Sequence, residues 1–170
     1  DPKKGLTVVE IVDAIHDDVI KAMFVEGENP AMSDPDQTHA RQALAKLDHL
    51  VVQDIFLTET AWHADVVLPA SAHAEKVGTF SNTNRQVQMV RQCVPMPGDA
   101  RHDWWIIAEI GKRLGLEWNY EGPADVFAEM KLAMPSLDNI TWERLENENV
   151  VTYPCDDPES FGNPVIFMDG

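Results

Sequence analysis

Three short apolar segments, each ending in polar or turn-forming residues, constrain most strongly what this chain can fold into. They cover residues 20–25, 50–53 and 65–68, and helical patterns alternate with them along the first 70 residues. Strands that alternate with helices favour parallel pairing through right-handed crossovers. The pattern therefore predicts an α/β fold, with a Rossmann-like, doubly wound and mainly parallel sheet flanked by helices.

Helix signals lie before and between these strands. Thr7 begins a capping box, and apolar residues follow it at the spacing of one helical face. Asp34, which is followed by a proline, is predicted to cap a second helix. Thr58 or Thr60 is predicted to cap a short helix that runs through His63. These elements complete an α-β-α-β-α-β order.

The pattern changes after the third strand. Residues 78–90 carry turn signals and then alternate, which predicts extended chain or a hairpin. Helices are predicted from Asp103, from Pro123 and after Thr141. From residue 147 onward the chain contains several prolines and acids, so we predict an irregular tail there.

The amino-acid composition limits the kinds of partner that the chain is expected to bind. The 170 residues carry a net charge of −16, which argues against nonspecific binding to nucleic acid or to an anionic membrane. The apolar runs are too short to span a bilayer, and no secretory leader opens the chain. Cys93 and Cys155 belong to no CxxC motif, so neither a zinc nor an iron–sulfur site is predicted, and isolated thiols are typical of a cytoplasmic protein. Because the chain opens at Asp1 rather than Met, we expect a piece of a longer polypeptide.

Polar residues at three strand ends form the candidate site. Gly27-Glu28-Asn29 follow the first strand, Gln53-Asp54 the second and Pro69-Ala70-Ser71 the third. Ligands of open α/β sheets bind at this edge. A carboxylate there suits a ribose diol or the N–H edge of guanine, and a glycine permits close backbone approach. The same residue types also turn chains and cap helices, and the spacing alone leaves both interpretations open.

Several segments resemble the molybdopterin oxidoreductase family. Residues 24–30 resemble its Gly-x-Asn-Pro loop, residues 53–69 its QD.F.TETA..ADVVLP segment, and residues 75–85 its E..GTFTNTERR segment. Residues 141–146 and 153–155 are similar to a late segment of cytosolic formate dehydrogenase alpha subunits. The resemblance extends over nearly the whole chain.

The resemblance implies a function and cofactors. Enzymes of this family hold molybdenum or tungsten between two molybdopterin guanine dinucleotides. The parent protein would oxidise formate to carbon dioxide, and electrons would leave through iron–sulfur clusters elsewhere in the parent chain to flavin and NAD on electron-transfer subunits. The implied partners are these subunits and the remainder of the catalytic subunit. This segment carries no catalytic residue, metal ligand or four-cysteine motif, so it would bind cofactor and be inactive alone.

The resemblance also assigns roles to residues. The guanosine end would be lined by Gly27, Glu28, Asn29, Gln53, Asp54 and Thr58. Asp65 would support that wall, while Asn82 and Arg85 would lie nearer the pterin, next to departures from the family pattern at Asn84 and Gln86. Residues 1–146 would form the cofactor-binding domain, and residues 147–170 an irregular tail toward a C-terminal barrel outside this sequence.

Two alternatives stay open at this point. The parent protein could be another oxidoreductase of the same superfamily, such as a nitrate reductase, which would differ around the metal ligand outside this segment. The chain could also be a stand-alone nucleotide-binding or interaction module without redox chemistry. Cluster-type cysteines upstream and a barrel downstream would distinguish an oxidoreductase from such a module.

Overall fold

The computed structural model describes residues 4–165, within which the chain divides into two compact units. The first contains residues up to 71 together with residues 98–101, and the second contains residues 72–97 together with those from 102 onward. No helix in the described range is long and apolar enough to cross a bilayer.

The first unit is a parallel α/β sheet. Its strands are β1 (Ala22–Glu26), β2 (His49–Asp54) and β3 (Val66–Pro69), in the order β1-β2-β3 with parallel pairing throughout. Its helices are α1 (Val8–His16), α2 (Pro30–Ser33) and α3 (Gln37–Lys46). The predicted Rossmann-like α/β fold is confirmed, including its three parallel strands.

Helices α1 and α3 pack on the same face of this sheet. Alternate residues of a strand point to one face, and on β1 that face carries Met23 and Val25. Val25 lies in a core with Leu44 of α3. Ile15 of α1 is buried with Ala43 of α3, and Met23 packs against both of them. The two helices therefore share one layer over β1 and β2.

Of the helix caps predicted at Thr7 and at Asp34, only the one at Thr7 is confirmed. Thr7 and Glu10 form both hydrogen bonds of the capping box at the start of α1. Helix α3 is capped by Asp36 rather than by Asp34, since the Asp36 side chain accepts the N–H of His39 at 3.1 Å. A residue before proline favours extended backbone, and Asp34 has φ −67° and ψ 135°. The proline therefore delays the helix by two residues.

The second unit is an antiparallel sheet with three helices. Its strands are β4 (Gly78–Ser81), β5 (Gln86–Val90) and β6 (Val150–Thr152), in the order β4-β5-β6. Its helices are α4 (Asp103–Arg113), α5 (Pro123–Ala133) and α6 (Trp142–Glu148). The core consists of Val87, Met89, Phe127, Leu137, Ile140, Leu145, Val151 and Cys155. The predicted hairpin and the three predicted helices are confirmed.

Strand β6 contradicts the irregular tail predicted from residue 147 onward. It pairs with β5 through Val151 opposite Val87, and both side chains are buried. A run of three residues beside prolines and acids carries no visible period, and only pairing with a distant strand satisfies its backbone groups. The second compact unit also extends past residue 146, so it does not end at the predicted domain boundary.

Candidate functional site

The carboxyl ends of the three parallel strands meet at one edge, where backbone hydrogen bonds join their loops. The N–H of Gly27, just after β1, donates to the carbonyl of Gln53 at 2.9 Å. The N–H of Ala70, just after β3, donates to the carbonyl of Asp54 at 3.0 Å. The candidate residues that follow or end β1 and β2 therefore lie at the edge where open α/β sheets bind ligands.

Gly27 has the geometry of a ligand-approach position. Its φ is +63°, and no heavy atom lies within 4 Å of the point where a Cβ would project. A left-handed φ favours glycine because a side chain would crowd the following carbonyl. The empty space beside the backbone leaves room for a group of a ligand at this position.

Asp54 is fixed through one oxygen and open at the other. Its Oδ1 accepts the N–H of Ile55 at 2.7 Å and that of Phe56 at 3.2 Å. Such bonds form an Asx-type turn, which orients the carboxylate at the end of β2. Within residues 4–165, Oδ2 accepts no hydrogen bond, and the side chain is partly exposed. The free oxygen is available to a donor on a ligand.

The Asn29 side chain connects two loops. Its Oδ1 accepts the N–H of Thr60 at 3.1 Å and the Thr60 hydroxyl at 2.8 Å, while its Nδ2 donates to Glu59 at 2.7 Å. The bond from Asn29 lowers the pKa of the Glu59 carboxyl. Thr60 is 0% exposed and its hydroxyl also accepts the N–H of Ala31 at 3.0 Å. These bonds hold the loop after β1 against the loop after β2.

The structure places three further predicted residues in different surroundings. Gln53 is 0% exposed, and its Nε2 donates to Glu26 at 3.3 Å, so it supports the edge from inside. The Thr58 hydroxyl accepts the N–H of Ala61 at 3.2 Å, as a helix cap does. Glu28 is exposed and lines a cavity beside β1. Of the six residues predicted for the guanosine end, Gly27 and Asp54 are therefore best placed for direct contact with a ligand at this edge of the sheet.

Asp65 lies at the opposite edge of the sheet. Its carboxylate accepts the N–H of Leu50 at 2.7 Å, near the start of β2. Asp54 ends the same strand, about 13 Å further on at a rise of about 3.3 Å per residue. The structure therefore does not bring Asp65 to the predicted guanosine wall. The chain returns to the amino edge before β3 begins, and there the carboxylate satisfies the backbone of β2.

Asn82 and Arg85 belong to the second unit and shape its β4–β5 turn. The Asn82 side chain accepts the N–H of Gln86 at 3.0 Å. Arg85 has φ +61°, and its guanidinium donates to the carbonyls of Asn163 and Val165. Its Nε is buried and has no hydrogen-bond partner in the described part of the chain. Their position near a pterin stays a prediction.

An exposed apolar patch lies on the same loop as the Asp54 turn, and the sequence reasoning missed it. Ile55, Phe56, Leu57 and Trp62 are between 47% and 75% exposed. The available signal was three large apolar residues in succession directly after a strand end. Exposed patches of this kind mark surfaces that another segment or ligand covers.

Among the described residues, no group of three or more His, Cys, Asp or Glu side chains could hold a metal ion.

Thr60→Val is expected to lower the free energy of unfolding of the chain by about 1–3 kcal/mol, because the buried N–H of Ala31 loses its acceptor. Urea unfolding followed by tryptophan fluorescence measures the change. Thr60→Ser is the matched control, since it keeps the hydroxyl and loses one methyl. Equal destabilisation by both variants would show that the hydroxyl does not stabilise the loops.

The sequence profile of the molybdopterin oxidoreductase family matches residues 2–113. This match covers more than half of the chain, and the chain belongs to that family. The parallel sheet and the candidate site at its carboxyl edge are in the matched region.

Relatives share sequence over the full chain. The F420-dependent formate dehydrogenase subunit alpha of Methanocaldococcus jannaschii is 45% identical over 170 residues, which is 99% of this chain and 25% of the relative. YrhE of Bacillus subtilis, whose name describes it as a formate dehydrogenase, is 44% identical over 100% of this chain and 17% of its own length. Acetylene hydratase from Pelobacter acetylenicus superposes with a TM-score of 0.69 at 25% identity, over 92% of this chain and 22% of that one. The chain spans a quarter or less of each.

Proposed function

We propose that this chain binds the guanosine end of a molybdopterin guanine dinucleotide in the catalytic subunit of a molybdenum or tungsten formate dehydrogenase. The observation that carries the proposal is the Asp54 carboxylate, with Oδ1 fixed by a turn and Oδ2 open, at the edge that also holds Gly27. When bound, the cofactor supplies the metal centre at which formate is oxidised.

The residues present fit such a ligand. Guanine offers neighbouring N–H donors, and an ionised carboxylate has about four lone-pair sites on its two oxygens. Asp54 therefore accepts from the base or the ribose while keeping its turn. Gly27 lets the ligand approach the backbone. Asn29 and Thr60 act indirectly, because their hydrogen bonds hold the two loops in register.

Formate as the substrate is supported by sequence rather than by fold. Two relatives whose names include formate dehydrogenase share 44% and 45% identity across essentially the whole chain. Acetylene hydratase shares the fold at 25% identity, so the fold alone does not select a substrate. Another oxidoreductase of the superfamily, such as a nitrate reductase, is the second candidate. Family membership disfavours a stand-alone module without redox chemistry.

The proposed partners are the remainder of the catalytic subunit and separate electron-transfer subunits. The exposed patch at Phe56 and Trp62 suits burial against another part of the subunit. We assign iron–sulfur clusters to the parent chain outside this segment, flavin and NAD to the partner subunits, and the cytoplasm as location. The name of the Methanocaldococcus relative describes it as dependent on F420. NAD and F420 are therefore both to be tested as electron acceptors.

The complete reading frame, expressed with molybdate or tungstate and purified, tests the proposal. We expect formate-dependent reduction of a viologen dye, and guanosine monophosphate released from the protein by acid hydrolysis. NAD and F420 are then compared as acceptors with the partner subunits present. Absence of bound guanine nucleotide would overturn the cofactor assignment, and activity with nitrate in place of formate would overturn the substrate.

A further inference from the structure

Four hydrogen bonds connect Arg41 to Glu59 at the carboxyl edge of the parallel sheet. The Nε of Arg41 donates to the carbonyl of Ala31 at 2.7 Å, and the N–H of Ala31 donates to the Thr60 hydroxyl at 3.0 Å. The Thr60 hydroxyl donates to Oδ1 of Asn29 at 2.8 Å, and Nδ2 of Asn29 donates to Oε2 of Glu59 at 2.7 Å. We call these five residues the Arg41–Glu59 network.

The hydrogen bonds of the Arg41–Glu59 network all run in one direction. A cation donates at one end of the network, and a carboxylate accepts at the other. The Thr60 hydroxyl has a single proton, which it donates to Asn29, so its oxygen accepts from Ala31. Hydrogen bonds in such a series polarise one another, and those that involve an ion are the stronger ones. The two charged ends therefore stabilise one arrangement of the residues between them.

The Glu59 carboxylate fixes the orientation of the Asn29 amide. Oδ1 of Asn29 also accepts the N–H of Thr60 at 3.1 Å. In the opposite orientation, the amide nitrogen of Asn29 would meet the N–H of Thr60, and its oxygen would meet the Glu59 carboxylate. The hydrogen bond from Asn29 lowers the pKa of the Glu59 carboxyl, and the charge of Arg41 acts in the same direction. Glu59 is therefore ionised at neutral pH and disfavours the opposite orientation.

The Arg41–Glu59 network lies close to Gly27 and Asp54. Asn29 follows Gly27 by two residues, which span about 7 Å at most. The N–H of Gly27 donates at 2.9 Å to the carbonyl of Gln53, the residue before Asp54. A fixed Asn29 therefore holds the loop that contains Gly27 against the strand end that contains Asp54.

We propose that Glu59 is a positioning residue for the guanosine end of the cofactor: by accepting from Asn29, it holds Gly27 and Asp54 in the arrangement that the ligand requires. Glu59 is exposed, and surface substitutions change the free energy of unfolding little. The loss of its carboxylate therefore affects cofactor binding more than overall stability. This inference rests on the proposed function and adds a residue that acts through Asn29.

Two substitutions of Glu59 in the intact subunit test the proposal. Glu59→Met removes the acceptor with little change in side-chain size, whereas Glu59→Gln keeps an oxygen that accepts from Asn29. We expect Glu59→Met to release guanine dinucleotide about threefold to tenfold faster at an unchanged melting temperature, and Glu59→Gln to stay within about twofold of the wild type. Asp48→Asn removes an exposed charge at the other end of β2 and should leave the release rate unchanged. Equal acceleration by Glu59→Met and Glu59→Gln would overturn the proposal.

A double-mutant cycle tests whether Glu59 acts through Asn29. In the Asn29→Ala background, Glu59→Met should accelerate the release of guanine dinucleotide no further, because the hydrogen bond between the two side chains is already absent. Additive effects of the two substitutions would overturn the proposal, since Glu59 would then act through some other contact.

Hydrogen exchange at the Ala31 amide reports on the network independently of the cofactor. We expect Glu59→Met to accelerate this exchange by about threefold to tenfold, because Thr60 and Asn29 are then held less firmly. An unchanged rate at Ala31 would overturn the proposal. Wild-type subunit without guanine nucleotide would instead overturn the proposed function, and the exchange rate would still decide whether Glu59 holds the loop.

Discussion

The intact subunit carrying Asp54→Asn is expected to fold normally and to lose most of its guanine dinucleotide. An asparagine keeps one oxygen acceptor, so the turn to Ile55 and Phe56 survives. It replaces the other oxygen by an amide that repels the donors of guanine. Hydrogen bonds to charged groups contribute about 1.5–3 kcal/mol, so the affinity should fall by about tenfold to more than a hundredfold.

Guanosine monophosphate released per polypeptide, together with metal content, measures this loss. Asp48→Asn is the matched control, because Asp48 is exposed at the amino end of the same strand and should retain full content. Asp54→Ala removes the turn as well, and its additional loss of stability reports the structural part of the role. Full cofactor content in Asp54→Asn would refute the assignment of Asp54 to the guanosine end.

Gly27→Val is expected to reduce cofactor content by more than about tenfold in the intact subunit. A valine forces a branched side chain into a left-handed backbone and fills the space beside the strand end. The strain alone would lower stability by about 1–2 kcal/mol. The filled space would, in addition, exclude the ligand from the backbone.

Gly98→Val separates strain from obstruction. Gly98 lies in the same unit at φ +48°, also with no heavy atom within 4 Å of its Cβ position. We expect both variants to lower the melting temperature by similar amounts, and Gly27→Val alone to lose guanine nucleotide and metal. Parallel losses of cofactor in both variants would mean that Gly27 acts through stability and not through contact.

Local sequence was sufficient for the parts of the fold that short-range physics determines. The capping box at Thr7, the helix starts at Asp103 and Pro123, and the three apolar strands all follow from periodicity and from side chains within one turn. Asp36 shows the limit of such reasoning, because two acids flank Pro35 and the backbone of the folded chain selects the second.

The residues of the candidate site were likewise only partly predictable from the sequence. Gly27 and Asp54 follow directly from strand ends and from residue chemistry. The surroundings of Asn29 and Gln53 do not, because Asn29 binds Thr60 across 31 residues and Gln53 is buried. Their amide groups suit a ligand and a neighbouring loop equally well. Which of these they meet depends on the approach of loops that are distant in sequence.

By itself, the sequence determined the alternation of helices and strands, the parallel sheet and the edge at which a ligand would bind, because periodicity and chain direction fix these locally. The tertiary structure alone decided that Asp65 supports the amino end of β2, that residues 150–152 join a sheet, and that β1 keeps an open edge. The positions of Asp65 and of residues 150–152 depend on hydrogen-bond partners that are distant in sequence. The open edge of β1 depends on the lack of a second pairing strand among the described residues. No pattern within a segment specifies such a partner.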